Sequence, residues 1–167
     1  MRKNMVDVDT GHVAVGQGGS VLRANAIGSC IVVTAYDVRT LNAGMAHILL
    51  PGRAPEKAVS KTRYAVDAIE RLLALMAQAG SAVEDVQACL IGAGNVLRDE
   101  EETICNHNIA SVTQILTEKK ISIRACNLGG YERKSALLDI TTGQLSYTQG
   151  DGPPTVLWCF IEETAAP

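Results

Sequence analysis

Short apolar runs separated by glycine-bearing turns make up most of the chain, and two longer stretches repeat apolar residues every three or four positions. Val13-Ala14-Val15 and Val21-Leu22 flank Gly16-Gln17-Gly18-Gly19-Ser20, a spacing that predicts two strands, a turn and a first hairpin. Ile31-Val32-Val33-Thr34 and Met45-Ala46-His47-Ile48-Leu49-Leu50 read as two further strands, which a connection through Asp37 to Asn42 would allow to pair as antiparallel neighbours. Val66, Ile69, Leu72, Leu73 and Met76 form one helical stripe, and Gly80 is placed to cap it. Val86 to Ile91 predicts a buried strand that runs into the loop Gly92-Ala93-Gly94-Asn95. The charged stretch Arg98 to Glu102 precedes a second helical stripe of Ile109, Val112, Ile115 and Leu116. Ile121 to Cys126 alternates as a half-buried strand and ends in Asn127-Leu128-Gly129-Gly130. Ser135 to Ile140 and Gln144 to Thr148 predict a hairpin, and Val156 to Ile161 an edge strand before an acidic, alanine-rich tail.

Composition narrows the class. A chain of 167 residues, 47% hydrophobic and 20% charged, with net charge -3, matches one globular domain over 1–167 with a flexible C-terminal tail from about 150. No dense Lys/Arg cluster supports nucleic-acid binding. No apolar segment of signal-peptide or membrane-spanning length is evident, so a cytoplasmic protein with no membrane insertion is expected. The five cysteines, at 30, 89, 105, 126 and 159, contain no C-x-x-C pair and suggest free thiols rather than a disulfide framework or zinc ribbon. Gly16 to Ser20 lacks the Lys-Ser/Thr ending of a P-loop. Cys105 and His107 lack a second ligand pair. No cofactor and no metal are expected.

One cysteine and one histidine stand in more specific settings. Cys30 follows Gly28-Ser29 and opens the first of the two paired runs, while His47 lies inside the second, closed by Pro51-Gly52. If those runs pair, the two side chains can meet across the ladder, and a thiol beside an imidazole is the minimal activated nucleophile of acyl transfer. A free thiol, with a pKa of about 8.5, needs such a partner near neutral pH. From residue types alone, Cys30 as a small buried hydrophobe and His47 as a core histidine stay open beside the catalytic reading. Cys89, Cys126 and Cys159 read as core or strand residues.

At these positions the chain resembles the CheD family of chemoreceptor glutamine deamidases. The matching pieces are Gly28-Ser29-Cys30 leading into Ile31-Val32-Val33, and Gly44-Met45-Ala46-His47-Ile48-Leu49-Leu50-Pro51. They continue with Arg63-Tyr64-Ala65-Val66-Asp67-Ala68-Ile69, Ile91-Gly92-Ala93-Gly94, Asn106-His107-Asn108-Ile109, and Gly129-Gly130 with Arg133. The resemblance implies an α/β layered sandwich of mixed and antiparallel sheet with two main helices, similar to the catalytic domain of cytotoxic necrotizing factor toxins. It implies a protein-glutamine glutaminase, with Cys30 as nucleophile and His47 as base. Ser29 and Gly28 would support the oxyanion. The implied partner is the cytoplasmic domain of methyl-accepting chemotaxis receptors, with a CheC-type phosphatase as a second. The family's orienting hydroxyl upstream of the cysteine is here Ala24, so a weakly active or inactive binding module that docks to receptors or the phosphatase stands as the alternative.

Overall fold

The computed structural model describes residues 2–162, and its strands form two five-stranded sheets with both helices packed on one of them. Numbered along the chain, the strands are β1 Asn4–Asp7, β2 Val13–Gly16, β3 Ser20–Ile27, β4 Ile31–Asp37 and β5 Asn42–Ile48. After helix α1, Ala65–Gln78, comes β6 Val86–Gly92, and after α2, Ile104–Glu118, come β7 Ser122–Leu128, β8 Lys134–Asp139, β9 Gln144–Gln149 and β10 Thr155–Cys159. One sheet has the order β1-β3-β8-β9-β10, the other β2-β5-β4-β6-β7. The expected α/β layered sandwich is therefore present.

Every residue of β4 and β5 is buried. Strands covered on both faces need apolar side chains on both, which explains runs without polar alternation. On one side Ile31, Val33, Ala46 and Ile48 pack with Ile69, Leu72 and Met76 of α1 and Val112 of α2. On the other, Val32, Tyr36 and Met45 meet Leu22, Leu138 and Leu145 of the opposing sheet. The edge strand β7 instead alternates between exposed and half-buried residues. Gly80, at φ +105°, ends α1 as expected: its N–H donates to Ala77 O, and the N–H of Ser81 to Met76 O, satisfying carbonyls left over by the last turn.

The first hairpin is corrected. The two strands exist, but β2 pairs with β5, Val13 opposite Ala46, whereas β3 pairs with β8 and in parallel with β1. The Gly16–Ser20 turn, with Gly19 at φ +89°, carries the chain from one sheet to the other. Both strands find longer-range partners, and local patterning cannot distinguish a hairpin from an arch between sheets.

The segment from about 150, expected to be flexible but to add an edge strand at Val156 to Ile161, carries β10 at Thr155–Cys159 along β9, with Val156 opposite Ser146. Buried Phe160 stacks on Tyr36 at 5.1 Å between ring centroids, and the Tyr36 hydroxyl donates to Ile140 O at 2.7 Å. The expected alanine-rich tail, 163–167, lies outside the described residues. Replacing Phe160 with alanine leaves a cavity beneath Tyr36 and is expected to destabilise the protein by about 3 kcal/mol, read as a lower urea midpoint. An unchanged midpoint would show that the segment contributes no packing. Among the described residues no helix is long and apolar enough to cross a membrane.

Candidate functional site

The register of β4 on β5 brings the sequence-predicted pair together on one face. Val32 lies opposite His47 and Ile31 opposite Ile48, the last pair of the ladder. Ile31, Ala46 and Ile48 face the helices, whereas Cys30, Val32 and Met45 belong to the cluster between the sheets. Strand alternation therefore turns His47 toward the same side as Cys30. Cys30 sits one residue before the ladder, diagonal to His47.

The Cys30 loop is shaped by its backbone. A register shift interrupts β3 between Ala24 and Ile27, Ala26 takes φ +52°, and the chain turns through Gly28-Ser29. The loop is then stitched to the end of β6: the Ala93 N–H donates to Cys30 O at 2.7 Å and the Gly94 N–H to Gly28 O at 2.9 Å. Gly28, Ser29 and Cys30 line an open pocket of about 440 Å³ that Asn95, Glu102 and Arg133 also border. Cys30 is 8% exposed and borders this pocket, whereas His47 is only 1% exposed and does not line it.

The ring of His47 is held by main chain from the N-terminal turn. Its Nδ1–H donates to Val8 O at 3.0 Å. The Gly11 N–H donates to His47 O at 2.8 Å, and the His47 N–H to His12 O at 3.0 Å. A carbonyl can only accept, so the proton resides on Nδ1 and Nε2 presents a lone pair. Nε2 is buried and has no hydrogen-bond partner. Ala24 is buried in β3 opposite Ala136 and provides no hydroxyl; the Val8 carbonyl orients the ring instead. The sequence assigned residues 8–12 no part in the site, because main-chain atoms leave no mark in residue identity.

Both groups are neutral at rest. Burial pushes the Cys30 thiol above its ordinary 9.0, against the opposing effects of the Thr10 hydroxyl and its own amide. Burial also holds His47 below its ordinary 6.5, although the Val8 carbonyl and the Asp9 carboxylate pull it upward. Cys30 is thus not a stored thiolate, and its thiol makes no hydrogen bond to the free Nε2. Such an arrangement suits general-base transfer during attack, since catalytic hydrogen bonds are often long before substrate binds.

Asn108 of α2 also escaped the sequence reading as a site residue, although it lies in the segment Asn106 to Ile109. It is fully buried, and its Nδ2 donates to Ser29 O at 3.0 Å and Leu49 O at 3.1 Å. A polar residue on the buried stripe of Cys105, Val112 and Ile115 was the available signal. Of the discarded metal pair, Cys105 is buried and His107 exposed; the two diverge on the helix.

Comparison with known proteins adds independent findings. The family model described as CheD chemotactic sensory transduction matches residues 49–149, a span that includes neither Cys30 nor His47. A protein of Chlorobium luteolum named probable chemoreceptor glutamine deamidase CheD is 39% identical over 153 residues, 91% of this chain and 76% of that protein. A protein of the same name from Haloarcula marismortui is 30% identical over 74% of this chain and 73% of its own length. Another from Pyrococcus horikoshii is 28% identical over 84% and 89%. With a family model over more than half of its length and a relative this similar over nearly all of it, the chain belongs to the CheD family.

Proposed function

We propose that this protein hydrolyses the side-chain amide of glutamine residues in chemoreceptors, acting in the cytoplasm on the receptor's cytoplasmic domain. The observation that carries the reading is the tautomer of His47: Val8 O fixes the proton on Nδ1 and leaves Nε2 bare on the face that carries Cys30. The names of the relatives support the substrate class.

In this mechanism His47 Nε2 takes the thiol proton as the Cys30 sulfur attacks the amide carbon. The oxyanion that forms requires preorganised donors, and the Ser29 and Cys30 N–H groups beside Gly28 are the candidates. The imidazolium then returns its proton to the departing nitrogen, which leaves as ammonia, and a thioester remains on Cys30. Water, deprotonated by His47 Nε2, cleaves the thioester to glutamate, and the imidazolium returns that proton to the departing sulfur to restore the thiol. The sum is glutamine plus water giving glutamate plus ammonia, with no cofactor consumed.

The binding-module alternative, docking to receptors or a CheC-type phosphatase without turnover, drew on the missing hydroxyl at Ala24. The Val8 carbonyl on Nδ1 offers the ring another acceptor and supports the catalytic reading over it. The deciding experiment is incubation with a receptor cytoplasmic fragment, following ammonia release and the one-dalton mass gain of each converted glutamine. Partner binding without either product would favour the alternative.

The pH dependence follows from the same groups. His47 must be neutral to act, and burial lowers its pKa, so the acid limb of kcat/KM is expected below pH 6.5 with a flat top through neutrality. The same shift means the unfolded chain binds a proton more readily, so stability declines as pH falls below 6.5 toward the folded value. An acid limb centred above 6.5 would exclude His47 as the base.

A further inference from the structure

We infer that Asn108 is a positioning residue that sets the Cys30 sulfur against His47, an inference that rests on the proposed deamidase reading and assigns its geometry to a third side chain. The ladder between the strands that carry nucleophile and base ends at Ile31 opposite Ile48. Beyond it the chains part: the Leu49 and Leu50 N–H groups donate to Arg63 O, and Cys30 O accepts from Ala93. Ser29, immediately before the nucleophile, and Leu49, two residues past the base, have no ladder between them. Asn108 spans the gap, with its two Nδ2 hydrogens on the two carbonyls at 3.0 and 3.1 Å.

The choice of residue argues for a purpose beyond packing. Asn108 is fully buried on a helix face otherwise lined by Cys105, Val112, Ile115 and Leu116. Its Oδ1 is buried with no partner, a standing desolvation cost that an apolar residue would not carry. An apolar side chain would fill the space equally well, but would leave both carbonyls unpaired and the Cys30 loop free to shift from the β5 end. His47 is anchored separately by Val8, Gly11 and His12. Loss of Asn108 therefore moves the sulfur relative to a base that stays in place.

The test is a cycle on Cys30 alkylation by iodoacetamide, a small primary amide, read by mass spectrometry at the Cys30 peptide because Cys126 and Cys159 are exposed and will also react. The proteins are wild type, Asn108→Ala, His47→Ala and the double variant, with deamidation kinetics on the receptor fragment alongside. Near neutral pH, Asn108→Ala is expected to slow alkylation as much as His47→Ala does, and the double variant to be no slower, because each change removes the same coupling. Displacement of the nucleophile is expected to lower kcat by about a hundred-fold with little change in KM. Asn108→Ser, which keeps one donor, should fall between and serves if the alanine variant does not fold. The inference is overturned if Asn108→Ala or, failing that, Asn108→Ser lowers only the melting temperature, if the two effects multiply, or if His47→Ala leaves alkylation unchanged. Wild-type protein that alkylates as expected but releases no ammonia would instead sink the deamidase reading alone.

Discussion

Cys30→Ala is expected to reduce ammonia release from a receptor fragment by about four orders of magnitude, to background, because no other group can form the acyl intermediate. The same change should scarcely disturb the fold. Cys30 is a small residue at the edge of the cluster between the sheets, and removing one sulfur should cost about 1 kcal/mol, or a melting shift of about 2–4 °C for a domain of this size. The two readouts therefore separate chemistry from stability. The direction of the thiol's pKa sharpens the expectation. Burial raises it, so near neutral pH the sulfur attacks only while His47 removes its proton, and His47→Ala should also bring turnover close to background. Cys30→Ser should fare no better, since a hydroxyl is a far weaker acid than the thiol it replaces. Residual turnover in Cys30→Ala within ten-fold of wild type would refute the nucleophile assignment, whereas unchanged partner binding with no turnover in the wild type would favour the binding module.

The parts of this site that could be read from sequence are those carried by side-chain type and short range. Cys30 and His47 stood out because one opens an apolar run and the other lies inside the next, and the antiparallel pairing that the short Asp37 to Asn42 connection allowed is the one the ladder shows. The two helices followed from apolar stripes, and Gly80 marked the end of the first. What remained hidden depends on partners distant in sequence. The strands at Val13 and Val21 look like a hairpin until the opposite sheet is supplied, and β1 is four mostly exposed residues with no alternation to announce it. The support of His47 was hidden for a different reason. Val8 contributes its carbonyl oxygen, which any residue would possess, so the sequence showed the missing hydroxyl at Ala24 but not the main-chain acceptor that meets the ring. Asn108 was legible in principle as a polar residue on a buried stripe, but its two acceptors lie 79 and 59 residues away.

The backbone dependence makes Gly92 the position where one methyl group should do the most harm. Gly92 has φ +130°, a conformation that only glycine adopts without strain. A Cβ there would press on the Cys30 carbonyl oxygen and approach Ile27 Cγ2 to 2.8 Å and Ile31 Cα to 3.2 Å. Its own carbonyl accepts from the Gly129 N–H at 2.9 Å and from the buried Lys134 ammonium at 3.3 Å, so the residue cannot retreat without disturbing both bonds. Strain and overpacking should together destabilise Gly92→Ala by about 3 kcal/mol, a melting decrease of about 6–12 °C. Because the clash falls on the nucleophile's own carbonyl, kcat should drop by about a hundred-fold even well below the new melting temperature. Gly129→Ala is the matched control. Gly129 also has positive φ, +86°, but a Cβ there meets nothing within 4 Å, so only backbone strain of about 1 kcal/mol should register, with turnover retained. If the two variants lose stability and activity equally, the close approach of β6 to the Cys30 loop is not what holds the nucleophile in place.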